Sequence, residues 1–433
     1  MAMDRREFLQ KAALTGLAVF GAPLTARAQT INAPYDGPFW IFVNANGGWD
    51  PTDLCDPKGR ANELARDPVN TYMTSDILQA GNITFAPHAL APNISHADFL
   101  AKYSSRMMVI RGIDLSTNGH TEGLRHSFSG RLPDGNPSLA AMIAATYAPS
   151  LPTSYLTAGG YDPTMGLVGA TRIGNPSVLQ TIAFPNQVNA TDQSMQAKRN
   201  FQDDIVVQRV ERYRAERWSS LMQHQRLARV RTSIAELYTA GLDQGTLKKV
   251  SELMPNPLSR DRFESQAQIA LAAYKAGATI SMSMGFGSFD THGNHDQSHI
   301  PQMGQLLTKI DFLWNEADRL GVADRVMLVL TSEMGRTPSY NAGNGKDHWS
   351  VTSAIVMGPG VPGNRVIGGT TERVAAMKID PDTLAAVDAK DPNGVMLTPA
   401  IVHDALRDMA GVNDDFRRQF PIYPEKKIDL FKA

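Results

Sequence analysis

The run Phe289-Asp290-Thr291-His292-Gly293-Asn294-His295-Asp296 sets two histidines and two aspartates within seven residues, directly after an apolar stretch. Imidazole nitrogen and carboxylate oxygen are ligands that zinc and manganese accept, and a ligating ring needs an acceptor behind its other nitrogen. A solvated polar loop can have the same composition, so the run gains weight only with partners. Thr331-Ser332-Glu333-Met334-Gly335-Arg336 supplies two: a carboxylate able to ligate, and a guanidinium whose fork can hold an anionic oxyester group. The same pair can equally be an ion pair at the start of a helix. Asp347-His348, in the loop Gly343-Asn-Gly-Lys-Asp-His-Trp349, adds a further pair of donors or an ordinary turn. Asp50 follows Gly47-Gly48, which let the backbone turn sharply, and it reads as a ligand or as an Asx-type turn before Pro51. The segment Leu115-Ser116-Thr117-Asn118-Gly119-His120 offers Ser116 and Thr117 as nucleophiles or helix caps, with His120 close by. Together Asp50, Asp290, His292, Glu333, Asp347 and His348 would make one or two divalent-metal sites, for zinc, manganese or calcium, faced by those hydroxyls.

Positioning such residues requires a sheet whose strand ends gather loops. Short apolar runs precede each cluster: Phe39–Val43, Arg106–Ile110, Ala278–Met284, Val326–Leu330 and Ala354–Met357. Near-continuous apolar strands suit a mostly parallel sheet covered on both faces, and ligands of such sheets bind beyond the carboxyl ends of the strands. Helical patterns lie between. Leu306, Leu307, Ile310, Leu313 and Leu320 form a stripe that ends at Gly321, and Thr398-Pro399 starts a helix closed by Gly411. The expected fold is therefore α/β, a doubly wound and mostly parallel sheet. Residues 194–250 are charged and helix-favouring, with Arg209, Arg212, Arg214 and Arg217 on a solvated pattern, and read as an inserted helical pair forming a cap or interface.

The chain has 433 residues, 42% hydrophobic and 20% charged, with a net charge of −1. Nothing in that balance argues for nucleic acid or a membrane surface as partner. Cys55 is alone, so no intramolecular disulfide forms. At the N-terminus, Asp-Arg-Arg-Glu-Phe-Leu-Gln-Lys11 is a twin-arginine pattern, followed by an apolar run, Ala12 to Ala26, too short for the about 20 residues of a membrane span. Ala26-Arg27-Ala28 offers a cleavage site, so residues 1–28 read as an export signal and 29–433 as the working domain. The twin-arginine translocase is then a partner during export, and the destination is periplasmic or extracellular.

Gly47-Gly-Trp-Asp50, Asp290-Thr-His292, Ser332-Glu-Met-Gly-Arg336 and Asp347-His348, in this order behind a twin-arginine signal, resemble the DUF1501 family of exported bacterial proteins. The resemblance spans nearly the whole mature chain. It implies the alkaline-phosphatase-like superfamily, which includes sulfatases, phosphodiesterases and cofactor-independent phosphomutases. It casts Asp50 as the first-strand metal aspartate, Asp290 and His292 as a shortened Asp-x-x-x-His pair, and His348 as the last ligand histidine. Ser332-Glu333 stands where Thr-x-Asp-His is usual, one histidine short. Ser116, four residues before His120, has the spacing of the phosphomutase nucleophile, with Thr117 and Thr121 as alternatives. The implied activity is metal-dependent hydrolysis of phosphate or sulfate esters, through a Ser/Thr nucleophile or water and with Arg336 holding the anionic group. The rival expectation is a non-catalytic exported protein that binds or assembles with an envelope partner.

Overall fold

The computed structural model describes residues 35–89, 91–149, 151, 153–173, 186, 188, 200–227 and 244–432. Residues 1–28, expected to be an export signal, and much of the 194–250 segment lie outside them. Residues from Gly37 onward form one compact unit.

Its centre is set by strands with little but apolar side chains. In β1 (Phe39–Ala45) and β6 (Val326–Thr331) every residue is buried. With β2 (Met107–Asp114), β3 (Tyr155–Ala158), β4 (Ala170–Arg172), β5 (Ser281–Phe286), β7 (Val351–Met357) and β8 (Arg365–Gly368) they make an eight-stranded sheet, ordered β8-β2-β7-β6-β1-β5-β3-β4. The pairs β1–β5, β1–β6, β3–β5, β3–β4 and β2–β8 are parallel, as expected of strands buried on both faces. Strand β7 is the exception, antiparallel to both β2 and β6.

That reversal corrects one expectation and explains another. The carboxyl end of the run Ala354–Met357, expected with the others at the ligand-binding edge, lies at the opposite edge, where Gly358 meets the start of β6. The entry to β7 instead reaches the functional edge. His348-Trp349, just before it, pairs antiparallel with Gly335-Arg336, just after β6.

The helices are α1 (His96–Tyr103), α2 (His120–Ser129), α3 (Leu139–Tyr147), α4 (Asp204–His224), α5 (Gln244–Leu253), α6 (Arg262–Lys275), α7 (His295–Arg319), α8 (Pro399–Met409) and α9 (Asp414–Gln419). Helix α7 buries the expected leucine and isoleucine stripe and ends at Gly321. It starts earlier than the stripe suggests, at His295, with Pro301 inside it, so the end of the histidine-rich run is helix and not loop. Helix α8 begins with Pro399 at its first position, as read from sequence. No described residue of α4 is buried, in keeping with its solvated charge pattern. Among the described residues no helix is long and apolar enough to cross a membrane.

Candidate metal centre

At the carboxyl end of the sheet Asn44 of β1 sits level with Gly285 of β5 and Thr331 of β6. The loops that leave these strands converge. Phe289 N donates to Asn46 O at 2.8 Å, Gly47 N to Glu333 Oε1 at 2.5 Å, and Trp49 N to Ser332 Oγ at 3.0 Å. Helix α2 presses against the same place, with Gly123 packed on the carbonyl of Glu333 and His120 as its first residue.

Asp290 stands in the middle of the group so formed. His292 Nε2 lies 2.9 Å and His348 Nε2 3.1 Å from its Oδ1, while His120 Nε2 lies 3.5 Å from its Oδ2. The two Nε2 atoms of His292 and His348 are 3.0 Å apart. Behind each ring is an acceptor for the other nitrogen. His292 Nδ1 faces Asp347 Oδ1 at 2.8 Å, His348 Nδ1 faces Asn118 O at 2.9 Å, and His120 Nδ1 faces Glu333 Oε1 at 3.2 Å. A carbonyl or carboxylate oxygen can only accept, so these contacts assign the ring proton to Nδ1 in all three. In the neutral rings the Nε2 lone pairs then point at one another and at a carboxylate. Such a convergence of electron pairs calls for a positive charge among them. An acceptor behind each ring is also the usual support of metal-ligating histidines. The donor atoms of His120, Asp290 and His348 all lie within 4.8 Å of one another, and His292 Nε2 stands beside Asp290 and His348. The donor set therefore fits a small divalent cation, with part of each of His120, Asp290, His292 and His348 open to solvent.

Arg336 is fully buried and braces this group. Its Nε donates to Gly48 O at 2.8 Å, Nη1 to Lys346 O at 3.1 Å, and Nη2 to Gly47 O and, at 2.8 Å, to Asp290 Oδ1. Burial pushes the Asp290 carboxyl up, but the hydrogen bond and positive charge of Arg336 outweigh it and hold the group down to about 2. The carboxylate is thus ionised whenever an ion would need it.

The six expected ligands therefore fall into three places. Asp290, His292 and His348 converge. Glu333 and Asp347 stand one step back, orienting His120 and His292. Asp50 belongs elsewhere, in a buried group of its own. His120, read from sequence only as a neighbour of the hydroxyls, brings its Nε2 to 3.5 Å from Asp290 Oδ2. Ser116 has a left-handed backbone (φ 54°) and its N–H donates to Asp114 Oδ1 at 2.9 Å. Thr117 Oγ1 accepts from Gly119 N at 3.2 Å, as a cap would. Among the described residues neither hydroxyl hydrogen-bonds to the imidazoles or carboxylates of the group. Their loop is nevertheless tied to it through Asn118.

The family model described as "Protein of unknown function (DUF1501)" matches residues 40–387. The chain belongs to the DUF1501 family. No curated protein matches it. Similar solved structures include a PsFucS1 sulfatase from Pseudoalteromonas sp., 8% identical over 94% of this chain and 72% of that one, with a TM-score of 0.39. The lipoteichoic acid synthase LtaP from Listeria monocytogenes is 8% identical over 97% and 80%, with a TM-score of 0.36. A variant of TAB5 alkaline phosphatase with bound Mg is 9% identical over 75% and 92%, with a TM-score of 0.31. Similarity of that size leaves metal, substrate and activity to be argued from the residues of the chain itself.

In this DUF1501 chain a second cluster lies beneath the first. Asp50 Oδ2 accepts from Lys346 Nζ at 2.6 Å and lies 3.4 Å from His295 Nε2; its Oδ1 accepts from Thr52 N at 2.8 Å and Thr52 Oγ1 at 2.6 Å. Asp53 Oδ2 faces His295 Nε2 and its Oδ1 faces His88 Nε2, both at 3.0 Å. Lys346 Nζ also donates to Asn70 Oδ1 at 2.7 Å. Burial raises both carboxyls, but Lys346 and His295 hold Asp50, and His295 and His88 hold Asp53, well below the usual range. For His295 burial works downward, and its hydrogen bonds to Asp50 and Asp53 prevail and raise it. His299 accepts Asp50 N–H on Nε2 at 2.8 Å, so its Nδ1 carries the proton toward Thr291 Oγ1 at 3.0 Å. Asp53, His295 and His299 have the composition of a metal site. Their donor atoms are, however, already spent on hydrogen bonds, and the Lys346 ammonium lies against Asp50. Composition alone did not mark Asp53, His299 or Lys346 as partners; the Gly-Lys-Asp-His run around Lys346 was the available signal.

Proposed function

We propose that the chain is an exported, metal-dependent hydrolase of phosphate or sulfate esters, using one divalent ion held by His120, Asp290, His292 and His348. The observation that carries this reading is the convergence of three Nε2 atoms on the Asp290 carboxylate, each ring fixed from behind by an acceptor. A bound divalent ion supplies Lewis acidity toward an ester oxygen and lowers the pKa of a hydroxyl or water beside it. The rest falls to side chains. Glu333, Asp347 and the Asn118 carbonyl keep the rings turned inward. Arg336 fixes Asp290 and the Gly47-Gly48 turn. The loop carrying Ser116 and Thr117, pinned at Asn118, offers the hydroxyl, or leaves room for a water, on the open side. The ester class rests on the motif resemblance of that segment and on the anionic substrates such an ion suits.

The chemistry is tested by elemental analysis of the purified protein together with turnover of p-nitrophenyl phosphate and p-nitrophenyl sulfate. Stoichiometric zinc, manganese or calcium with turnover of either ester is the expected result. A folded, metal-free protein purified without chelators would sink the reading. The buried position of Arg336, and two hydroxyls without contact to the group, favour one other function: a non-catalytic binding or assembly protein of the envelope. Stoichiometric metal with no turnover of any ester would select it.

A further inference from the structure

Lys346 has no exposed surface, which is rare for a lysine. Its Nζ donates to Asp50 Oδ2 at 2.6 Å and to Asn70 Oδ1 at 2.7 Å, and lies 5.0 Å from the centre of the Tyr340 ring. His295 Nε2 stands 3.4 Å from the same Asp50 oxygen and 3.0 Å from Asp53 Oδ2. Donor atoms of Asp53, His295 and His299 lie within 4.8 Å of one another, all buried. Carboxylates and imidazoles gathered in this way are the donor set of a buried divalent ion, and Asp50 was expected from sequence as one of its ligands. As it stands, the set does not fit a resident ion. The ammonium already holds the Asp50 oxygen that an ion would take, and its charge is on a tether that cannot dissociate.

The backbone of Lys346 is fixed as firmly as its side chain. Its N–H donates to Thr291 O at 3.1 Å, and its carbonyl accepts from Arg336 Nη1 at 3.1 Å. Thr291 lies between Asp290 and His292, and Lys346 lies two residues before His348. The residue therefore joins the two loops that carry Asp290, His292 and His348. Around the ammonium the remaining polar atoms are engaged. Asp50 Oδ1 accepts from Thr52 N and Thr52 Oγ1, and Asn70 Nδ2 donates to Thr52 Oγ1 at 2.8 Å. A zinc ion draws its oxygen and nitrogen ligands to about 2.0–2.2 Å. An ammonium at hydrogen-bond distance from the same carboxylate excludes it, by volume and by charge.

We infer that the Lys346 ammonium is the resident cation of this buried position, standing where the residues around it would otherwise take a second metal ion. The frame beneath the exposed group is then set without any ion, and removing the ammonium should turn the cluster into a metal site. Zinc is the probe, on the mature protein carrying Asp290→Asn, with elemental analysis after dialysis and thermal unfolding as readouts. Adding Lys346→Ala should add a stoichiometric amount of zinc over that parent, and Asp53→Asn should abolish the gain. Zinc should also raise the Tm of the Lys346→Ala protein. If that chain does not fold by itself, refolding with zinc should restore its circular dichroism. Zinc that is held with Lys346 in place and released by Asp53→Asn overturns the inference, because the ammonium then excludes nothing. Failure of Lys346→Ala to take up extra zinc, folded or refolded, overturns it as well and leaves the lysine a structural counter-ion. Because each comparison is made without Asp290, these outcomes stand whether or not the exposed group holds an ion or turns over an ester.

Discussion

His348 shows how a single ring is prepared for a ligand. Its Nδ1 is committed to the Asn118 carbonyl, so only Nε2 is left to face Asp290 and His292. The same logic at His292 and His120 makes Asp290 the residue on which the group depends. Asp290→Asn should reduce bound metal from stoichiometric to a small fraction of the protein while the fold is retained, as read by elemental analysis beside circular dichroism. Unchanged metal content would remove Asp290 from the ligand set. The acceptors behind the rings act at one remove. Glu333→Gln or Asp347→Asn should weaken metal affinity about 10–100-fold, the usual loss when such a support is removed, measured by competition with a chelating dye. This proposed division of labour was only partly legible in sequence. Asp290, His292 and His348 carry ligand chemistry in their type and spacing. Glu333 and Asp347 look the same on paper, and only the direction of a hydrogen bond separates a ligand from its support. Arg336 shows the same ambiguity. An arginine beside a candidate carboxylate suggests an anion clamp, whereas its guanidinium is spent on two loop turns and Asp290.

At the scale of elements, the buried cluster ties the Asp50 loop, the start of α7 and the Lys346 loop into one frame beneath the exposed group. Lys346→Ala would leave Asp50 buried without its ammonium, and breaking a buried pair in this way costs about 3–5 kcal/mol. Urea unfolding should show that loss, and a change below about 1 kcal/mol would mean that Lys346 does not neutralise the cluster. The pH dependence has two arms. Asp50 and Asp53 are lowered from 3.8, so their contribution is present above that value and is lost as pH falls toward their folded values. His295 is raised from 6.5, so its contribution is complete below that value and is lost as pH rises through its folded value. Thermal stability should therefore be greatest between about pH 4 and 6.5. His295→Gln should flatten the alkaline arm of a Tm–pH profile; an unaltered arm would place its cause elsewhere. Helix α2 contributes by close approach. A Cβ on Gly123 would collide with the Glu333 carbonyl, so Gly123→Ala should displace His120 and weaken metal binding in a folded protein.

For the molecule as a whole, the α/β class and the gathering of loops at one sheet edge were legible because buried parallel strands have an unmistakable composition. The short strands β3, β4 and β8 were not, since three or four residues carry too little periodicity. Nor was the reversal of β7, because strand direction is set by pairing and not by the strand's own residues. The reversal matters to function, since it delivers His348 to the edge where β1, β5 and β6 end. A frame that depends on loops from five distant parts of the chain cannot be assembled piecemeal, and a metal group built on it forms only when the sheet is complete. The proposed metal-dependent protein would be best loaded with its ion before it leaves the compartment where it folds, which the proposed twin-arginine signal would permit. We therefore expect Arg5→Lys with Arg6→Lys to hold the chain back in the cytoplasm, folded and metal-loaded, as followed by fractionation and elemental analysis of each fraction. Retention of a folded, loaded precursor would show that assembly precedes export. Export undiminished by the double substitution would remove residues 1–28 from that role. A precursor retained but metal-free would place ion uptake after export, separating the signal from the chemistry.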